Sequence, residues 1–171
     1  MSASTRPIKL DEWGISWEEY KELTYFCLQY NRKKADAAAL LTIKLSTPTP
    51  AIYHKKVGEK MVEFGTFLPH GGGRTSDPVA ATAAKRDRLL NDIRMIEQAA
   101  RGASDAAREA YSWVIDPRYI IKAVTQKSGV QALYADPDTR PPMGERQFYT
   151  VRRIFYWILH EMKNGDLEPI A

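Results

Sequence analysis

Residues 144–164 read GERQFYTVRRIFYWILHEMKN, and their periodicity decides the fold. Phe148, Val151, Phe155, Ile158, Leu159 and Met162 recur at steps of three and four, the spacing that aligns one face of an α-helix. A helix of about 20 residues extends about 30 Å, long enough to organise a small domain around itself. Gly165 marks its end, because glycine enters the left-handed conformation of a helix exit without a Cβ penalty. Away from the apolar stripe the same helix offers Arg146, Gln147, Tyr149, Thr150 and Arg153. Arginine grips guanine and glutamine grips adenine through paired hydrogen bonds, while tyrosine, threonine and arginine also serve phosphates. Any amphipathic helix has a polar face, and plain solvation accounts for the same residues.

Working backwards, Asp136-Pro137 and Pro141-Pro142 mark a turn-rich connection over 136–143. Ser128 precedes a short helix expected at 129–135. Asp116-Pro117 predicts a helix at 117–126, since aspartate caps a first turn and proline there gives up no useful amide. Helix, short helix and long helix over 117–164 follow the order of a helix-turn-helix, whose last helix presents its N-terminal residues to base edges. Asp77-Pro78 repeats the start signal for Val79, Ala83, Leu89, Leu90, Ile93 and Ile96 at helical spacing. Gly102 suits the exit of that helix, with Ser104 or Asp105 capping another that ends near Ile115.

Near the N-terminus, Ser16 and Glu19 form the S-x-x-E capping box, with Ile15 and Tyr20 as its hydrophobic staple. Tyr20, Leu23, Cys27 and Tyr30 then predict a helix over about 17–40 with a break near Asn31. Residues 1–10 read as a frayed arm. Between the two helical regions, Thr47-Pro48-Thr49-Pro50 and His70-Gly71-Gly72-Gly73 interrupt any regular pattern. The stretch from Ile52 to Phe67 reads as a short hairpin or as nothing ordered. The expected organisation is an N-terminal arm and helix (1–45), an irregular basic segment rich in proline and glycine (46–76), and a helical domain (77–165). The fold class is mainly α, a small helical domain with a C-terminal helix-turn-helix-like unit.

The composition excludes several classes. Of 171 residues, 44% are hydrophobic and 27% charged, ordinary values for a globular chain able to bury a core. With one cysteine, Cys27, no intramolecular disulfide exists, and Cys27 on an apolar helix face reads as a buried thiol rather than a nucleophile. His54, His70 and His160 lack metal-ligand spacing, so neither a metal nor another cofactor is expected. The His70–Ser76 tract lacks the lysine of a phosphate-binding loop and reads as a linker. Glu18 and Glu19 sit where carboxylates complement a helix N-terminus. No nucleophile–base pair emerges, and the expectation is a non-enzyme. No signal peptide and no membrane-length apolar run is apparent, which points to the cytoplasm. A net charge of +4 leans toward polyanions.

Two stretches carry a resemblance. Ser76-Asp77-Pro78-Val79 leading to Lys85-Arg86 and Ile93-Arg94-Met95-Ile96-Glu97 is one. Pro142-Met143-Gly144-Glu145-Arg146-Gln147-Phe148-Tyr149 through Arg152-Arg153-Ile154-Phe155-Tyr156 is the other. They resemble the central and last helices of small late-gene regulators of phages from Gram-positive bacteria, of the RinA and ArpU type. The resemblance covers about half of the chain, residues 76–160. It implies a sigma-like helix-turn-helix, activation of phage genes in a bacterial cytoplasm, and DNA contacts at Arg146, Gln147, Tyr149, Thr150, Arg152 and Arg153. Arg152 abuts the core stripe, so bracing the connector is its alternative role.

The leading expectation is a regulator of double-stranded DNA, with phosphate contacts from Lys55, Lys56 and Lys60 of the middle segment and Lys85, Arg86 and Arg88 of the central helix. The alternative is a phage protein that binds a host protein, such as an RNA polymerase subunit or the target of an anti-CRISPR-type inhibitor. Trp13, Trp17, Tyr156 and Trp157 would then be its anchors. No heptad seam specifies an oligomer, and a homodimer on a two-fold DNA site stays open.

Overall fold

The computed structural model describes residues 10–42, 52–57, 60–65 and 78–165. These residues form a mainly α fold. A 3-10 turn at Asp11–Trp13 leads into α1 (Trp17–Leu28) and α2 (Tyr30–Thr42). A hairpin of β1 (Ile52–Val57) and β2 (Lys60–Gly65) follows. Then come α3 (Pro78–Tyr111), α4 (Pro117–Val124), α5 (Gly129–Ala135) and α6 (Glu145–Asn164). Residues 1–9 of the expected N-terminal arm, the proline and glycine tracts, Asp77 and His70 lie outside the described residues, while Leu10, expected in the frayed arm, is buried in the core.

The starts of α1 and α4 have a local cause. The Ser16 hydroxyl accepts from the Glu19 amide at 3.2 Å, and the Ser16 amide donates to the Glu19 carboxylate at 2.7 Å, so the predicted capping box is formed. Asp116 accepts from the Arg118 amide and opens α4 with Pro117 behind it. α1 stops at Leu28, and the break falls at Gln29, two positions before Asn31. α6 ends where Gly165 turns to φ 81.

The middle segment is not wholly irregular. β1 and β2 pair antiparallel in the register Ile52↔Gly65 to Val57↔Lys60, the hairpin being one of the two readings of this stretch.

The region around Gly102 requires a correction. No helix ends there, and neither Ser104 nor Asp105 starts one: α3 is continuous over 34 residues. Glycine inside a helix costs about 1 kcal/mol against alanine. Here it serves packing, because a Cβ on Gly102 would lie 3.1 Å from Cδ1 of Ile158 on α6. Ser104 is buried, and its hydroxyl donates to the Ile115 carbonyl, tying α3 to the chain that enters α4. α3 ends instead at Tyr111, where Ser112 adopts the left-handed φ of 58.

The N-terminal helices pack into the same core as the helices that follow. Leu10, Ile15, Leu23, Cys27 and Tyr30 belong to one hydrophobic cluster with Ile96 and Ala103 of α3, Ile120 of α4, Leu133 of α5 and Phe155 of α6. α6 is the middle of this core. Phe148, Val151, Ile154, Phe155, Tyr156 and Leu159 are buried, and Ile158 and Met162 are half-buried. Tyr156 points away from the predicted stripe, so α6 is covered on more than one side. α6 runs antiparallel to α3. Ile158 lies over Gly102, while Lys163, farther along α6, shares the Phe26 ring with Lys33, which pairs with Asp92 earlier on α3.

Candidate nucleic-acid interface

Arg146, Thr150, Arg153 and Trp157 recur at steps of four, three and four, so they form one stripe along α6. Arg146 is exposed, and Thr150 and Arg153 are half-buried. Trp157 is half-buried as well, its ring meeting that of Trp13 edge-on at 6.2 Å. The stripe is therefore exposed in the first turn of α6, at Arg146, and half-buried from Thr150 to Trp157. Tyr149 flanks it, half-buried.

The other residues expected at DNA have duties within the fold. The Gln147 side chain accepts from the Gly144 amide at 2.9 Å, completing the turn that starts α6. The Thr150 hydroxyl donates to the Arg146 carbonyl of its own helix at 3.3 Å. Arg152 faces α1: its Nη2 donates to the Tyr20 hydroxyl at 3.3 Å, and its guanidinium lies 5.5 Å from the centre of the Tyr156 ring. It braces α1 rather than the connector. Its Nε makes no hydrogen bond among the described residues, and it belongs to no ion pair among them.

α4, α5 and α6 follow in the expected order. The tight turn of this unit lies between α4 and α5, where Gly129 is obligatory: a Cβ there would sit 1.9 Å from the Ala123 carbonyl oxygen. The connector to α6 is held by side chains. Tyr134 donates to the Met143 carbonyl at 3.0 Å, Arg140 donates to the Tyr134 carbonyl at 3.2 Å, and Tyr134 packs edge-on against Phe148.

Of the expected phosphate contacts, Lys85 and Arg88 are exposed on α3. Arg86 is half-buried beside Asp87 at 3.5 Å. Lys55, Lys56 and Lys60 occupy hairpin register positions opposite Val62, Met61 and Val57, and their side chains lie outside the described ones. Among the expected protein anchors, Tyr156 is corrected: it is fully buried, and burial pushes its phenol well above the ordinary range. Trp17 alone of the four is largely open, at 48% exposure, with Lys21 over its ring.

A row of cations on α3 escaped the sequence reading. Arg94, Arg101 and Arg108 are spaced seven residues apart and all are exposed. A seven-residue step drifts only about 20° around a helix, so the three share one side. The signal was present in the sequence, but a helix boundary placed at Gly102 put Arg94 and Arg108 on different helices. Beside this row lie two adjoining open clefts, of about 520 and 430 Å³, that share Arg101, Asp116 and Pro117.

Among the described residues, Cys27, Glu19 and His160 are each held by their surroundings. Burial pushes the Cys27 thiol up to about 12, so no thiolate is at hand near neutrality. The Ser16 amide, and then the His160 ring, hold the Glu19 carboxyl down to about 2. His160 is occupied by that contact and by Glu161 and Asn164. Among the described residues no three histidine, cysteine or carboxylate side chains gather as a metal site. No helix among them is long and apolar enough to cross a membrane. Compared with protein-family models, curated proteins and solved structures, the chain gives no match.

Proposed function

We propose that this protein is a non-enzymatic regulator that binds double-stranded DNA through the first turns of α6. The observation that carries this reading is the stripe 146–150–153 along the start of α6, exposed at Arg146 and half-buried at Thr150 and Arg153, ahead of Trp157, which packs edge-on against Trp13. An otherwise enclosed helix thereby offers two arginines, a tyrosine and a threonine at the end a recognition helix would use. Arg146 and Arg153 are the base-edge and phosphate contacts, with Tyr149 and Thr150 beside them. Gln147 and Arg152 are left out, because cap and core already hold them. Late phage genes in a bacterial cytoplasm are the setting that the resemblance to the RinA and ArpU regulators implies.

Electrophoretic mobility shift at two salt concentrations tests this, using duplex from the gene's own neighbourhood with random duplex as competitor. Sequence-selective, salt-sensitive retardation that Arg146→Ala abolishes is expected. No retardation at low salt would remove DNA from the proposal. A second reading, contact with a host protein such as an RNA polymerase subunit, draws on Trp17, an exposed aromatic of the type that anchors protein interfaces. Its test is co-purification of such a protein without DNA, lost in Trp17→Ala.

A further inference from the structure

We propose that the arginine row of α3, with Lys34 of α2 and Lys122 of α4 across the adjoining cleft, is a second DNA surface that grips the phosphate backbone without reading sequence. This rests on the reading of the protein as a binder of duplex DNA and adds to it the face that supplies electrostatic affinity.

The first support is spacing. Arg94, Arg101 and Arg108 rise about 10.5 Å per step, hence about 21 Å in all, along a straight element. That equals roughly six base-pair steps at about 3.4 Å each. A row of this length follows a duplex, whereas a single small anion would need convergent donors.

The second support is charge. Lys34, Arg101, Arg108, Arg118 and Lys122 line the two clefts. The carboxylates there are Glu97, Asp105 and Asp116, so the cations are in excess by five to three. Asp116 is taken by Arg118 at 2.6 Å, and Glu97 accepts from the Tyr30 hydroxyl at 2.7 Å. Arg94, Arg101, Arg108 and Lys122 take part in none of the ion pairs among the described residues. Their donors are free for phosphate oxygens, which the guanidinium fork matches in pairs.

The third support is placement. Because α6 runs antiparallel to α3, its first turns point toward the end of α3 that carries Arg108. Tyr111, 47% exposed and stacked on Trp113 at 4.4 Å, closes the row at that end and brings a further phosphate donor.

The experiment is fluorescence anisotropy of the full chain with a short random-sequence duplex, titrated at several salt concentrations. The double variant Arg101→Gln/Arg108→Gln should bind roughly ten- to a hundredfold more weakly, with a salt slope shallower by about 1.8, two phosphates at about 0.9 each. The loss should be equal on random and on selected duplex. Asp105→Asn, which removes a carboxylate beside the row, should tighten binding severalfold, a gain that misfolding cannot imitate. If the wild-type chain binds while neither variant moves affinity or slope, the row is not a DNA surface, and the α6 proposal stands. If the double variant weakens all duplexes while Arg146→Ala changes nothing, the row stands and the α6 assignment falls. If wild type binds no duplex at low salt, both fall. Loss of an acidic protein partner in the double variant, with DNA affinity intact, also overturns the proposal.

Discussion

α3 and α6 are the two long helices, and their arginines have opposite fates. α3 buries a narrow face built on Ile93, Ile96, Ala99, Ala100, Ala103 and Ala107, and Arg94, Arg101 and Arg108 stand clear on the other side. α6 is enclosed by α3, α1 and α4, so Arg152 is drawn inside against Tyr20 and Tyr156, and only Arg146 in the first turn is exposed. The small residues of α3 let neighbours approach closely, and the large residues of α6 fill the space thus opened. Burial follows from how many neighbours a helix has, and the same residue type becomes a core brace on one helix and a surface charge on the other.

If α6 is the core and α3 its partner, substitutions should separate along that line. The largest effect is expected at Phe155, fully buried in the middle of α6: Phe155→Ala should lower unfolding free energy by about 3–5 kcal/mol. Denaturant titration would show it, and a loss comparable to that of a surface change would refute the central placement of α6. Next comes the contact between the helices. A leucine at Gly102 would overlap Ile158, and Gly102→Leu should cost about 1–3 kcal/mol in the same titration. If it stabilised the protein, Gly102 would be an ordinary exposed helix glycine.

The polar joint between α1 and α6 gives a smaller effect. Ser16→Ala removes the cap and should cost about 1 kcal/mol. Glu19 adds a pH dependence. Its folded value near 2 lies below the ordinary 4.5, so its contribution is complete above about pH 4.5 and is lost as pH falls toward 2. Circular dichroism along an acid titration should show Glu19→Gln flattening that part of the stability curve, and an unchanged acid limb would contradict the contact.

The two classes of arginine should give the mildest changes. Arg152→Met keeps the buried stem and removes a desolvated cation that has no carboxylate partner among the described residues, so stability should stay level or rise by about 1 kcal/mol. Thermal melting that dropped sharply would show the Tyr20 and Tyr156 contacts to be worth more than the burial of charge. Arg101→Ala on the open side of α3 should alter stability by no more than about 0.5 kcal/mol. A larger loss would mean that the row is structural.

Much of this architecture was legible along the chain because its causes are local. Ser16 with Glu19, Asp116 with Pro117, and Gly165 each act within a few residues of themselves, and each helix end they predict is found. The stripe on α6 was legible for the same reason, since Phe148, Val151, Phe155 and Leu159 are spaced by the helix itself. Gly102 misled because glycine has two uses, ending a helix or admitting a neighbour, and the neighbour here lies 56 positions away at Ile158. That misreading split α3 and hid the relation of Arg94 to Arg108. Of the six residues expected at DNA on α6, Arg146, Tyr149, Thr150 and Arg153 retain outward exposure, while Gln147 and Arg152 are engaged by the cap and by α1.

The sequence by itself determined that the chain is helical, where most helices begin and end, and which face of α6 is apolar. Those properties depend on spacing and on hydrogen bonds within one or two turns. Only the tertiary structure decided that the N-terminal helices share a core with the rest, that Tyr156 and Arg152 face inward, and that three arginines of α3 form one open row. Those outcomes depend on which distant helix covers each face, and a side chain is buried by its neighbours in space rather than by its own period.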